Sequence, residues 1–311
     1  MAKKIVISAS RRTDIPAFYM DPFMDGIARG GFHVKNPFNG RVSLVPAGPE
    51  AVGCIVFWSK DFGRFLEGGY GTALARMGYE QFFLFTVNSA STVLEPNLPS
   101  LATRIAQAEQ LADQHGPRSV WWRFDPICFY QYNSGPVQNN LADFPWIAQQ
   151  MAHMGVKRCI TSFVDIYAKV ARRVKAIPGF SFVDPPMEKK IRVIRKMADL
   201  LEPMHISLYT CCENELTDGL PGDCNVKAGG CISGHYLEQR FEKEISLAGD
   251  SGQRRDKGCK CTASRDIGCY DAHPCLHNCL YCYANTNGRN QAGPAKPQEN
   301  VAHPQQAGNR E

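Results

Sequence analysis

Long hydrophobic runs are missing from the 311 residues. None approaches the roughly 18 apolar residues of a membrane span, so no membrane partner is expected. The opening, MAKKIVISASRRTD, has two lysines but only a short apolar run. That is too little for the apolar core of a signal peptide. The expected location is therefore the cytoplasm, where thiols stay reduced. A concentrated basic patch is also missing. The net charge of +5 leaves a nucleic-acid partner open but gives it no support. The densest basic stretch, KKIRVIRK from Lys189, has helical spacing and reads as the solvated face of an amphipathic helix. From Thr286 onward only one aliphatic residue is larger than alanine. Such a segment cannot bury enough surface to offset its ordering entropy, so residues 288–311 are expected to be a disordered tail.

Cysteine is scarce at first and then crowded. Only Cys54, Cys128 and Cys159 precede residue 210, each inside an apolar run, and they read as small buried hydrophobes. The other ten of the 13 fall between Cys211 and Cys282. A chain of this length can bury a large core without disulfides. In a reducing compartment such crowding argues for metal.

Six continuous apolar runs read as buried parallel strands: 4–10, 53–59, 81–88, 119–125, 158–165 and 205–211. Helical patterns lie between them. Ser100 starts one that Gly116 stops, Asp143 is placed to cap one ending at Gly155, and Met187 to Leu201 forms one that Pro203 closes. Residues 233–249 read as a further helix. Six β-α repeats imply right-handed crossovers, which suit an open doubly wound sheet or an incomplete barrel. The expected fold is α/β, a partial (β/α)6 TIM-like barrel with parallel strands over residues 1–249. An irregular cysteine-rich segment, 250–287, is expected to fold over its mouth. In such folds chemistry sits at the C-terminal strand ends. Those ends supply Arg11, Arg12, Asp14, Lys60, Asn88, Arg123 and Asp125 as pocket candidates, with Asp266 and Tyr270 weaker ones. Arginines there can clamp a carboxylate bidentately. Trp58, Trp121, Trp122 and Trp146 read as core.

Near the end stands CLHNCLYCYAN, with Cys275, Cys279 and Cys282 at C-x3-C-x2-C spacing. Three thiolates leave one iron of a [4Fe–4S] cluster without a protein ligand, and that iron is open to an amine and a carboxylate. Ferredoxins use four cysteines per cluster. Structural zinc prefers paired hooks, although His273 and His277 lie close enough to complete a zinc site. Cys211, Cys231, Cys259 and Cys261 form the best set for a second site, holding an auxiliary [4Fe–4S] cluster or zinc. The choice between Cys211 and Cys212 stays open, as do the roles of Cys224 and Cys269.

The motif, with Tyr281 before its third cysteine, resembles the signature of the radical S-adenosylmethionine superfamily. YCYA is similar in particular to spore photoproduct lyase-like members. The resemblance implies that the three cysteines bind the cluster and that the open iron chelates S-adenosylmethionine near the Tyr281 backbone. It also implies reductive cleavage to a 5′-deoxyadenosyl radical, and an electron donor such as ferredoxin or flavodoxin. By this reading Arg11, Arg12, Asp14, Arg123 and Asp125 are catalytic candidates, and Tyr281, Lys60, Asn88 and Arg123 are cofactor-binding ones. In that superfamily the motif follows the first strand, whereas here it arrives about 265 residues later. ISASRRTDIPAFY, NPFNG, CIVFWSKD, RFDPI and the cysteine-rich end together resemble a bacterial domain-of-unknown-function family with a C-terminal radical-SAM-like cluster. The rival functions are a zinc- or cluster-stabilised binding module, with nucleic acid as one target, and an iron–sulfur redox protein without S-adenosylmethionine.

Overall fold

The computed structural model describes residues 3–37, 39–220 and 224–285. The expected tail, 288–311, lies outside them. The centre of the molecule is an eight-stranded parallel sheet. Its strands are β1 (Ile5–Ala9), β2 (Val52–Ser59), β3 (Gln81–Thr86), β4 (Val120–Ile127), β5 (Arg158–Phe163), β6 (Ser207–Thr210), β7 (Val226–Ala228) and β8 (Arg265–Asp266). The spatial order is β7-β6-β5-β4-β3-β2-β1-β8. The first seven strands follow chain order without the reversal that defines a doubly wound sheet. Among the described residues no pairing joins β7 to β8, so the sheet is not closed into a barrel.

The six expected strands are β1 to β6. Their residues alternate between two cores because successive side chains point to opposite faces. Ile7, Phe57, Phe83, Phe85, Trp122 and Phe124 pack with helical residues such as Ile105, Leu111, Ile147, Ile194 and Leu201. Val6, Val56, Trp58, Phe82, Leu84, Trp121 and Ile160 pack instead against Ile232, Leu237 and Ile245, together with Cys231, Cys259 and Cys261. Both faces are thus covered, one by the crossover helices and the other by the chain that follows β6. Fully burying each large apolar side chain contributes about 1.5–3 kcal/mol, so the second face is as much a core as the first.

Local signals explain several boundaries. Ser100 Oγ accepts the Thr103 N–H at 3.1 Å, opening the helix Leu101–His115, and Gly116 at φ 80° ends it. The helix Met187–Leu201 buries Ile194, Met197, Ala198 and Leu201. Other expectations need correction. Asp143 precedes the helix Phe144–His153, but its carboxylate accepts the Ala90 N–H at 3.0 Å rather than capping that helix. Trp146 is 42% exposed, because the buried stripe there is Phe144, Ile147, Ala148 and Met151. The helix expected over 233–249 is only Gly234–Phe241. It stops where Glu242 turns left-handed at φ 53°, and Ile245 then bridges Lys4. The cysteine-rich segment does more than lie over the mouth. It supplies β8, which pairs with β1 at Ile7↔Arg265 and Ser8↔Asp266.

Candidate metal centre

The strand ends open onto one cavity of about 840 Å³. Cys275, Cys279 and Cys282 line it, and so do Cys211, Cys212, Cys231, Cys259 and Cys261. A single chamber therefore receives both cysteine groups, along with Arg11, Arg12, Asp14, Lys60, Arg123, Asp125, Asp266, Tyr270 and Tyr281. Asn88, expected beside a cofactor, does not line the cavity. It lies behind the wall at 1% exposure. Its side chain donates to Glu95 at 2.9 Å, to the Asp125 carbonyl and to the Tyr281 hydroxyl, and it accepts the Asp125 N–H. These bonds leave Asn88 committed to the wall.

The loop carrying the closely spaced cysteines is held mostly by its backbone. Buried Arg173, from the helix Ala168–Val174, donates to the carbonyls of Cys279 (3.4 Å), Leu280 (2.6 Å), Cys282 (3.2 Å) and Asn285 (2.7 Å). The Leu280 N–H donates to the Leu94 carbonyl at 2.8 Å. Asn97 holds the Leu276 carbonyl, and Tyr19 holds that of Pro274. Each of these loop carbonyls would otherwise need water, and burial makes an unpartnered one costly.

Two buried carboxylates tie the loop to the sheet. Asp14 accepts from the Ala17 N–H, Ser59 Oγ (2.7 Å) and the Lys60 N–H (2.9 Å), and it pairs with His277 Nε2 at 2.8 Å. Glu95 accepts from Lys60 Nζ at 2.7 Å, from Asn88 and from the Tyr281 hydroxyl, and it faces Arg104 at 3.7 Å. Burial alone would raise the Glu95 carboxyl, but Lys60 and Arg104 hold it below its usual range. Lys60 also lies 5.3 Å from the centre of the Tyr281 ring. Burial pushes the Cys275 thiol up to about 12, with Asp14 and Cys282 adding to the rise. Cys279 and Tyr281 are raised mainly by burial as well.

At the ends of β1, β2 and β4 the Trp58 ring meets two guanidinium groups, Arg11 at 4.9 Å and Arg123 at 5.0 Å. Arg123 pairs with Asp125 and donates to Thr86 Oγ1, while Asp125 also accepts from Ser162. Arg11 donates to Ser264 Oγ at 2.9 Å and faces Asp250 at 3.7 Å. Asp266 gathers Ser8, Ser10, the Arg11 N–H and the Gly268 N–H. Arg12 donates to the Gly268 carbonyl, and Tyr270 lies near Lys169. Among the described residues, buried Arg11 Nη2 and Arg123 Nε find no hydrogen-bond partner.

The dispersed cysteines meet each other. Cys211 Sγ lies 3.7 Å from both Cys212 Sγ and Cys231 Sγ. The sulfurs of Cys211, Cys212 and Cys259 all lie within 4.8 Å of one another. Cys261 is buried in the same cluster of side chains as Cys231 and Cys259. Of the four expected ligands, Cys211 and Cys259 stand in the mutual trio and Cys231 reaches Cys211, while the third member of the trio is Cys212, so both Cys211 and Cys212 are placed to be ligands. Successive strand residues point to opposite faces. Cys212 turns back to the same side because it is left-handed, at φ 61°. Glu95, Arg104 and Arg173 were not legible as site residues. Glu95 and Arg104 sit singly in a loop and a helix, and Arg173 lies in the basic run of Lys169, Arg172 and Lys175, so none carries a motif.

A parallel-sheet α/β protein whose strand ends enclose two cysteine groups is the class that fold and site define. The chain belongs to the DUF1848 family, a domain of unknown function, which it matches over residues 6–284. That is the kind of family expected from its separate motifs. No curated protein matches it. Among solved structures, a D-hydantoinase overlays 63% of this chain with a TM-score of 0.31 at 11% identity. The chain spans 45% of that protein, and a likeness this slight carries no argument. Among the described residues, no helix is long and apolar enough to cross a membrane.

Proposed function

We propose that the chain is a radical S-adenosylmethionine-type iron–sulfur enzyme in which Cys275, Cys279 and Cys282 hold a [4Fe–4S] cluster. One observation carries the reading: the three thiols, deep in one loop, line the same cavity as the polar strand ends. The donor set fits such a cluster. It supplies three thiols, while the intervening His277 commits Nε2 to Asp14. Six strands paired in chain order, β1 to β6, fit the partial (β/α)6 barrel of this class, with the cluster loop arriving from the C-terminal side.

With cluster and S-adenosylmethionine bound, the chemistry supplied is one-electron cleavage of the sulfonium C–S bond, giving methionine and a 5′-deoxyadenosyl radical. The chain's own groups hold and shield. Arg173 and Glu95 fix the loop, Arg123 presents a fixed positive charge to a carboxylate, and Trp58 and Tyr281 wall the chamber against water. A reducing donor protein such as a ferredoxin or flavodoxin would supply the electron, and a substrate in the same cavity would give up a hydrogen atom, leaving 5′-deoxyadenosine.

Reduced with dithionite under anaerobic conditions, the loaded protein is expected to release 5′-deoxyadenosine and methionine even without substrate. Cys279→Ala should abolish this. Arg123→Ala should keep the iron held by Cys275, Cys279 and Cys282 but weaken cofactor binding by about one to two decades, the worth of one charge-assisted hydrogen bond. A fully loaded, reduced protein that neither binds the cofactor nor yields 5′-deoxyadenosine would overturn the reading in favour of a redox protein.

A further inference from the structure

We propose that four of the five thiols of Cys211, Cys212, Cys231, Cys259 and Cys261 form a second thiolate metal centre that faces the same cavity. The proposal is tested apart from the radical reading, since its ligands are other residues and its measurement is another, although Arg11 and Arg123 border both.

The geometry is built rather than incidental. The thiols come from three separate stretches: the end of β6, the turn after β7, and the pair Cys259 and Cys261. Their convergence depends on Gly230. A Cβ at that position would stand 2.6 Å from the Cys261 backbone nitrogen, so any larger residue would force the Cys231 turn off the Cys259–Cys261 turn. Cys212 is left-handed at φ 61°, which brings two neighbouring thiols to one side.

The spacing suits metal. A zinc–sulfur bond of about 2.3 Å in a tetrahedron places its sulfurs about 3.8 Å apart. Cys211 Sγ stands 3.7 Å from two other sulfurs, and three of the five sulfurs lie within 4.8 Å. Disulfides do not account for the crowding, since all of these cysteines are free. The Ile232 N–H also donates to Cys261 Sγ at 3.5 Å, the kind of bond that tunes metal thiolates.

Charge completes the case. Each thiol that becomes a ligand loses its proton, so four thiolates around a divalent ion carry a net charge of about −2. Two guanidinium groups match that charge. Arg11 lies within electrostatic range of Cys261 and Cys231, and Arg123 of Cys231 and Cys211. Among the described residues, each arginine keeps a buried nitrogen without a hydrogen-bond partner, Arg11 Nη2 and Arg123 Nε. The chemical class is a thiophilic metal held by four thiolates, either a single tetrahedral zinc ion or an iron–sulfur cluster.

The test is metal analysis of the full chain, purified and reconstituted anaerobically, against its Cys275→Ala, Cys279→Ala, Cys282→Ala triple variant. The triple variant should keep about one zinc, or about two or four irons, the complements a four-thiolate site takes. Any of these results supports the centre and identifies its occupant. A Cys231→Ala, Cys259→Ala double variant should lose that same complement and keep the iron of the other group. Because this variant risks misfolding, wild-type protein supplies a second readout. Four of the five thiols should resist iodoacetamide until a chelator is added, as followed by peptide mass spectrometry. A triple variant without stoichiometric metal would overturn the proposal, as would equal labelling with and without chelator. Cleavage of S-adenosylmethionine is not among these readouts, so either proposal can fail without the other.

Discussion

Cys275, Cys279 and Cys282 come from one short loop whose backbone is pinned from outside, by Arg173, Leu94, Asn97 and Tyr19. Cys211, Cys212, Cys231, Cys259 and Cys261 come from three distant stretches and are held chiefly against each other. Both groups face one cavity, yet they place their demands on different parts of the molecule. The first group needs a rigid frame around a contiguous loop, because its sulfurs have no mutual clamp. The second needs the completed sheet, because its ligands share no local frame. Damage to the frame should therefore remove the first group alone, whereas damage to the docking of the chain after β6 should remove the second.

The largest effect that would separate them is expected at Glu95. The carboxylate and Arg104 are both about 2% exposed at their side chains, and Lys60 is 15% exposed. Glu95→Ala leaves two buried cations without their partner, which costs about 3–5 kcal/mol. Denaturant unfolding should show a loss of that size, and iron bound by the first group should fall. Glu95→Gln keeps two of the hydrogen bonds and should lose less. If Glu95→Ala removed metal from both groups equally while the protein stayed folded, the two frames would not be separate.

A smaller and more selective effect is expected from Arg173→Ala. Four carbonyls lose one donor group, and charge-assisted hydrogen bonds contribute about 1.5–3 kcal/mol each, though not additively. Iron held by Cys275, Cys279 and Cys282 should drop, while any metal on the dispersed cysteines stays. Arg173→Lys should restore little, because one ammonium cannot span carbonyls from Cys279 to Asn285 in the way that a planar fork does. Iron quantification with the dispersed group intact checks this. Undiminished iron in Arg173→Ala would mean that the loop holds itself.

The same contrast decides what the sequence made legible. Contiguity is visible in a string of letters, so CLHNCLYC announces itself, as do the apolar runs of β1 to β6. The dispersed set was partly visible through crowding, and its members line one cavity together with Cys212. Its geometry was not visible, because the left-handed turn at Cys212 and the close approach at Gly230 exist only once β6 and the Cys259–Cys261 turn are packed. Glu95 and Arg173 were silent for a related reason. A charged residue in a loop or short helix looks solvated until the fold buries it. Asn88 erred the other way: it stands at a strand end like its neighbours, yet Glu95 and Asp125 draw it behind the wall. The hairpin of Gly31–Lys35 with Val42–Pro46 escaped notice because most of its second strand is exposed and lacks a continuous apolar run.

The smallest expected effect tests whether the division into two groups is complete. Cys269 lies between β8 and the closely spaced cysteines, yet it does not line the cavity that all eight grouped thiols share. Its carbonyl accepts the His273 N–H at 2.9 Å, a bond that a serine backbone keeps. The side chain is only half-buried, so the change of sulfur to oxygen strands no deeply buried polar atom. Cys269→Ser should therefore change stability by no more than about 0.5 kcal/mol, the range of substitutions away from special features. Metal content should stay at the wild-type value for both groups. Loss of metal from either one would make Cys269 a ligand, and the boundary between the two groups would then have to be redrawn through β8.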